Sequence, residues 1–196
     1  MKLVTFGCSL TVGYGLDDVG INPKVCSQFS WPSKLGKLID CNIDNQGVSG
    51  ASNKEIHWNV LNYNFDKSDI VVILWSHKDR WCIHNENVEQ VNAWNKDRKS
   101  KMFFKFLHTD KDMSIDLHTR IQSVSNYLDK QNIKNFHAYA DNDYKEYFTW
   151  FDVKMLDVDM GKIRRTYPKA KYDHHPGIEA HDVFANIVYK EIKEYI

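Results

Sequence analysis

The chain has 196 residues, with 26 Lys and Arg set against 26 Asp and Glu, so it is long enough to bury a sizeable core and has no net field to steer it to nucleic acid or an anionic membrane. A mean hydropathy of -0.55 beside 42% hydrophobic residues excludes a disordered chain, and no run approaches the roughly 18 apolar residues of a membrane span. Cys8, Cys26, Cys41 and Cys82 are scattered without a C-x-x-C pair, which argues against a metal finger or a disulfide framework. With no leader-like apolar region at the N-terminus, these thiols predict a reduced, cytoplasmic protein.

Leu3 to Phe6 has the length and β-branched content of a buried strand, and it breaks into Gly7-Cys8-Ser9 where that strand would emerge from a sheet. Ligands of open α/β sheets bind outside the carboxyl ends of strands, so Ser9 is a candidate nucleophile. An ordinary turn accounts equally well for a lone Gly-x-Ser. Thr11 to Phe29 lacks a helical period and holds Gly13, Gly15, Gly20 and Pro23, which predicts a loop. A helix follows from Ser30, a capping residue, with Pro32 in the first turn and Trp31, Leu35, Leu38 and Ile39 on one face. Cys41 to Asp44 predicts a second strand. It runs into the turn-rich segment 45–53, and a helix with Ile56, Val60 and Leu61 along one face comes next.

Asp69 to Trp75 holds Ile-Val-Val-Ile-Leu, apolar on both faces as a central parallel strand requires. It ends at Ser76-His77-Lys78-Asp79-Arg80. Residues 81–112 mix Trp94, Phe103, Phe104 and Phe106 with Lys96, Arg98, Lys99, Lys101 and Lys105, which reads as an amphipathic insertion over the core. A polyanion-binding surface is the alternative. Leu117, Ile121, Val124 and Leu128 predict a helix over 113–130, Asn135 to Asp141 a fourth strand, and Phe148 to Leu156 a helical turn and a fifth strand. The last helix carries Phe184, Ile187, Val188 and Ile192 on one face. Strands alternating with helices predict one domain built on a mainly parallel five-stranded sheet with helices on both faces.

The chemically suggestive residues fall in the loops after the first three strands and before the last helix, which such a sheet gathers along one edge. Here the chain resembles the SGNH, or GDSL-type, hydrolase superfamily, especially its short divergent members from phage genomes. Gly7-Cys8-Ser9-Leu10 is similar to the family's Gly-Asp-Ser-Leu block, with Cys8 in place of Asp. Asn45-Gln46-Gly47-Val48-Ser49-Gly50 resembles the second block and Asp173-His174-His175-Pro176 the last. Ser76-His77-Lys78-Asp79 stands where Gly-x-Asn-Asp is usual, so the family's amide donor is replaced. Tyr172 occupies the usual position of the acid, three residues before the histidine, and Asp173 lies two before it.

The resemblance implies a three-layer α/β/α flavodoxin-like fold. It also implies a serine esterase with Ser9 as nucleophile, His175 as base and Asp173 as the acid that orients it, unless a backbone carbonyl serves instead. Ser9 and Gly50 would give backbone N–H groups to the oxyanion, with His77 or Lys78 as a third donor. A serine hydroxyl needs such a base, and a developing oxyanion needs fixed donors. Gly50 could equally serve only a turn with positive φ, and His174 and His181 only capping or packing. Asn45 and Arg80 are candidate substrate contacts, Arg80 for an anionic group unless it serves a salt bridge that supports the loop, the reading its place favours. No cofactor is expected: Gly13 and Gly15 make an incomplete dinucleotide fingerprint, and the His174-His175 pair lacks further ligands at metal spacing. The expected substrate is a small-molecule, carbohydrate or lipid ester, the family itself suggesting acetyl esters. The alternative is a binding or structural protein on the same scaffold with impaired catalysis.

Overall fold

A computed structural model of the chain describes residues 1–21, 24–84, 86–141 and 148–196. The loop residue Pro23 lies outside the described residues, as does position 85 within the 81–112 segment. Five parallel strands make the main sheet: β1 (Lys2–Gly7), β2 (Asn42–Gly47), β3 (Ile70–Trp75), β6 (Lys134–Tyr139) and β7 (Met155–Asp159), in the order β2-β1-β3-β6-β7. Every residue of β3 is buried, because it lies mid-sheet with helices over both faces. The helices α2 (Trp31–Ile39) and α7 (Ile178–Ile192) pack together, as do α3 (Asn53–Leu61) and α5 (Asp110–Lys130). The fold class expected from the sequence is therefore the observed one.

Several boundaries move, each for a tertiary reason. The second strand runs on through Asn45, Gln46 and Gly47, because these residues pair in register with Thr5, Phe6 and Gly7 of β1 and the pairing outweighs their turn preference. The fifth strand lies later than predicted, at Met155–Asp159, and runs directly into the unforeseen helix α6 (Met160–Thr166). Asp159 caps α6, its carboxylate accepting from the Lys162 N–H. Ser9–Val12 forms a single helical turn, α1, where a loop was expected to follow the nucleophile.

Residues 80–106 fold as an antiparallel hairpin, β4 (Arg80–His84) with β5 (Val88–Asn92), and helix α4 (Arg98–Phe106). The hairpin buries Cys82 and Val91, and the Trp81 ring lies against Phe103 at 5.7 Å with Lys54 and Arg120 cations over it. The mixed basic and aromatic composition is thus partly consumed in packing, although Trp94, Met102 and Phe106 remain exposed.

Two histidines do structural work. His181 on α7 accepts the backbone N–H of Trp31 at 3.0 Å, satisfying a donor that the start of α2 leaves without an intrahelical partner. Ser30 sits at the cap position, but its hydroxyl donates to the Ser27 carbonyl instead. His137 accepts the Trp75 indole N–H at 3.1 Å and faces Asn135 Oδ1 at 2.8 Å. Burial pushes both imidazoles down to about 3, so they fold neutral. Among the described residues, no helix is long and apolar enough to cross a membrane.

Candidate active site at the carboxyl edge of the sheet

Ser9 opens α1 at the carboxyl end of β1 and is 5% exposed. As residues of the first turn, Ser9 and Leu10 have N–H groups without an intrahelical acceptor, which leaves them available to an incoming oxygen. Ser9 Oγ lies 2.9 Å from His175 Nε2, although the two residues are separated by 166 positions. The other ring nitrogen, Nδ1, lies 2.5 Å from Asp173 Oδ2. With the proton on Nδ1 facing the carboxylate, Nε2 is a free acceptor for the serine hydroxyl.

The short Asp-x-His spacing works through a local turn. Asp173 Oδ1 accepts the backbone N–H of His175 at 2.8 Å, an Asx-type turn that holds the second carboxylate oxygen against the imidazole. Tyr172, at the position where the acid is usual, points outward and is 49% exposed. Gly15 makes room for the carboxylate: it has φ +83, and a Cβ there would collide with Asp173 Oδ1. The Tyr14 ring lies 4.9 Å from the imidazole and flanks it.

Partial burial pulls the His175 pKa below its ordinary value of 6.5, the Asp173 carboxylate opposes that shift, and the positive charges of Arg80 and Arg164 add to it. The imidazole is accordingly neutral, and able to accept a proton, at neutral pH. His77 feels the same two arginines and His175. Burial first, then those charges, push it down to about 4.

Gly50 lies in the loop after β2, which is tied to β1 by the Val48 N–H donating to the Gly7 carbonyl at 3.0 Å. Its φ of +82 meets the turn requirement, and Gln90 from the hairpin packs where a Cβ would be while donating to the Ser49 carbonyl at 3.1 Å. Asn53, which the sequence reading passed over, clamps this loop to the end of β3: its Oδ1 accepts the Ser76 N–H at 2.7 Å and its Nδ2 donates to the Ser76 carbonyl at 3.0 Å. Ser52-x-x-Glu55, the cap of the helix that carries Asn53, is the sequence signal that could have placed it.

Two candidates are engaged elsewhere. The Asn45 side chain donates through Nδ2 to the Thr11 carbonyl at 2.8 Å and accepts the Gly47 N–H through Oδ1 at 3.0 Å, so it fastens β2 to α1. Lys78 Nζ donates to Asp110 Oδ1 at 2.8 Å. Asp110 also belongs to a group with Asp79 and His108 whose ligand atoms lie within 4.8 Å of one another. His108 Nε2 lies 3.4 Å from Asp79, and the Lys78 ammonium lies 2.8 Å from Asp110. Arg80 remains at the site: Nη1 donates to Ser76 Oγ at 3.2 Å, and the guanidinium lies 5.2 Å from the centre of the Trp94 ring. His174 is exposed.

No protein-family model matches the chain, and no curated protein matches it in sequence. Solved structures do match in fold. The chain is similar to TesA, with TM-score 0.65 and 13% identity over 100% of both chains. It is similar to a member of the lipolytic protein G-D-S-L family from Veillonella parvula DSM 2008, with TM-score 0.55 and 13% identity, again over 100% of both. An acetyl xylan esterase from the rumen bacterium Butyrivibrio proteoclasticus matches at TM-score 0.58 and 13% identity over 99% of this chain, which spans 63% of that protein's length. The fold of this chain is therefore that of the G-D-S-L lipolytic proteins and of carbohydrate esterases.

Proposed function

We propose that this protein is a serine hydrolase that cleaves a carboxylic ester, with Ser9 as nucleophile, His175 as general base and acid, and Asp173 as the carboxylate that orients the imidazole. The observation that carries this reading is the continuous relay from Asp173 Oδ2 through His175 to Ser9 Oγ, at 2.5 and 2.9 Å. The Ser9 hydroxyl proton passes to Nε2 as Oγ bonds to the carbonyl carbon, and Asp173 stabilises the imidazolium that forms. The oxyanion is met by the N–H groups of Ser9 and Gly50. His77, which burial keeps neutral, or Lys78 is the third donor. Collapse expels the alcohol with the proton from Nε2, leaving the acyl group on Ser9. Water, deprotonated by Nε2, then releases the acid and restores the serine.

An acetyl or short acyl ester on a carbohydrate or lipid-like alcohol is the favoured substrate class, in keeping with the acetyl xylan esterase and lipolytic proteins that share the fold. A cytoplasmic location belongs to the same reading, since all four cysteines are free thiols. A fluorophosphonate probe tests it. Labelling that maps to Ser9, is lost in Ser9→Ala and parallels turnover of 4-nitrophenyl acetate supports the enzyme. A folded protein that is neither labelled nor active is instead a binding protein on this scaffold.

A further inference from the structure

Two guanidinium groups act on the site, and neither forms an ion pair with a carboxylate among the described residues. Arg80 begins β4, five residues past the end of β3, and Arg164 lies in α6, which leaves the carboxyl end of β7. The sheet order places Ser9 on one side of β3 and β7 on the other, so the two cations belong to different elements that follow carboxyl ends of the sheet. Both act electrostatically on His175 and on His77.

Neither arginine is used up in the fold. Arg80 gives one hydrogen bond to Ser76 Oγ and lies over Trp94, while its buried Nε has no partner among the described residues. Arg164 is half-buried and makes no ion pair among the described residues. Its neighbour Arg165, 57% exposed, is the one that reaches Asp141, at 4.0 Å. The carboxylate nearest the reacting groups, Asp173, is committed through both oxygens to His175. Partly desolvated like charges repel each other, and they gain most when a ligand brings the opposite charge.

We propose that Arg80 and Arg164 form an anion subsite beside Ser9, so that the preferred ester carries an oxyanion, a carboxylate or a phosphate, within a few atoms of the scissile carbonyl. The subsite rests on the hydrolase reading for its place in turnover, but not for its ability to bind anions. A guanidinium presents a planar fork of N–H donors that suits both oxyanions. The hairpin and α6 thus bring selectivity to a nucleophile held by α1.

The test compares kcat/KM for mono-4-nitrophenyl succinate with that for 4-nitrophenyl butyrate, an uncharged ester of the same chain length. The parent protein should favour the succinate ester. Arg80→Gln and Arg164→Gln should each lower the succinate-to-butyrate ratio by about tenfold or more, the scale of one charge-assisted hydrogen bond, and Arg164→Lys should keep part of it. Taking the ratio cancels any common change in His175 basicity. A parent preference for butyrate, or a ratio that both Gln variants leave unchanged, overturns the proposal. If neither ester is turned over, the hydrolase reading falls and calorimetric titration of the Ser9→Ala protein decides the subsite. Succinate or inorganic phosphate binding that is lost with Arg164→Gln supports it, the stronger binder naming the oxyanion; no binding, or binding indifferent to both arginines, sinks it.

Discussion

Asp173 grips His175 at two points: one carboxylate oxygen takes the backbone N–H at 2.8 Å while the other meets imidazole Nδ1 at 2.5 Å. A single side chain therefore shapes the loop and fixes the tautomer. Asp173→Asn keeps an acceptor for the turn but removes the charge that stabilises the imidazolium. It should lower kcat for 4-nitrophenyl acetate by about 10³- to 10⁴-fold with little change in the urea midpoint. Asp173→Ala removes both contacts and should lower the midpoint as well. Equal activity in the parent and Asp173→Asn would mean that another group orients the ring.

The pH profile follows from the charges around His175. Its pKa lies below 6.5, so kcat/KM should rise with pH along an acid limb whose midpoint is below 6.5 and then level off. Arg80 and Arg164 disfavour the imidazolium. Removing either charge therefore raises the pKa, and the acid limb of Arg80→Gln or Arg164→Gln should move to higher pH. A limb that stays in place in both variants would show that the arginines do not act on His175.

Gly15 is the backbone position on which the carboxylate depends. Its φ of +83 disfavours any side chain, and the collision of a new Cβ with Asp173 Oδ1 cannot be relieved without turning the carboxylate. Gly15→Ala should cost on the order of 1 kcal/mol or more in stability and lower kcat with it. Gly20, with φ +61 and open space around it, is the control. Gly20→Ala should show the backbone cost without the loss of kcat.

Acid should destabilise the fold through its buried histidines. His137 and His181 take up protons near 6.5 when unfolded, but only near 3 when folded. Between those values the unfolded state binds more protons, so stability present above pH 6.5 is lost progressively as the pH falls toward 3. The urea midpoint should be lower at pH 5 than at pH 7.5, and His181→Gln, whose amide oxygen can still accept the Trp31 N–H, should flatten that decline. A midpoint that holds or rises on acidification would contradict the neutral, buried assignment.

Asn53 should carry more stability than a polar residue in the first turn of a helix ordinarily does. Asn53→Ala strands both backbone groups of fully buried Ser76, at about 1 to 3 kcal/mol for the unsatisfied groups. Chemical denaturation measures it directly.

What the sequence determined by itself was whatever short-range pattern encodes. The all-apolar run of β3 could only lie mid-sheet, and the periodic faces of α2, α5 and α7 could only pack on it. Gly7-Cys8-Ser9 and Asp173-His174-His175 stood out as local chemistry at strand and helix ends. The tertiary structure decided whatever depends on partners distant in the chain. Pairing with β1 turned 45–47 into strand, and packing of β4 against α3 and of Trp81 against Phe103 gave order to a hairpin whose own residues show weak alternation. Lys78 went to Asp110 and Asn45 to Thr11, because a hydrogen bond or ion pair follows proximity and not sequence position. Arg164 could not be read as a site residue at all. Only the sheet brings α6 to the same edge as Ser9, where its charge has a meaning that composition averages to zero.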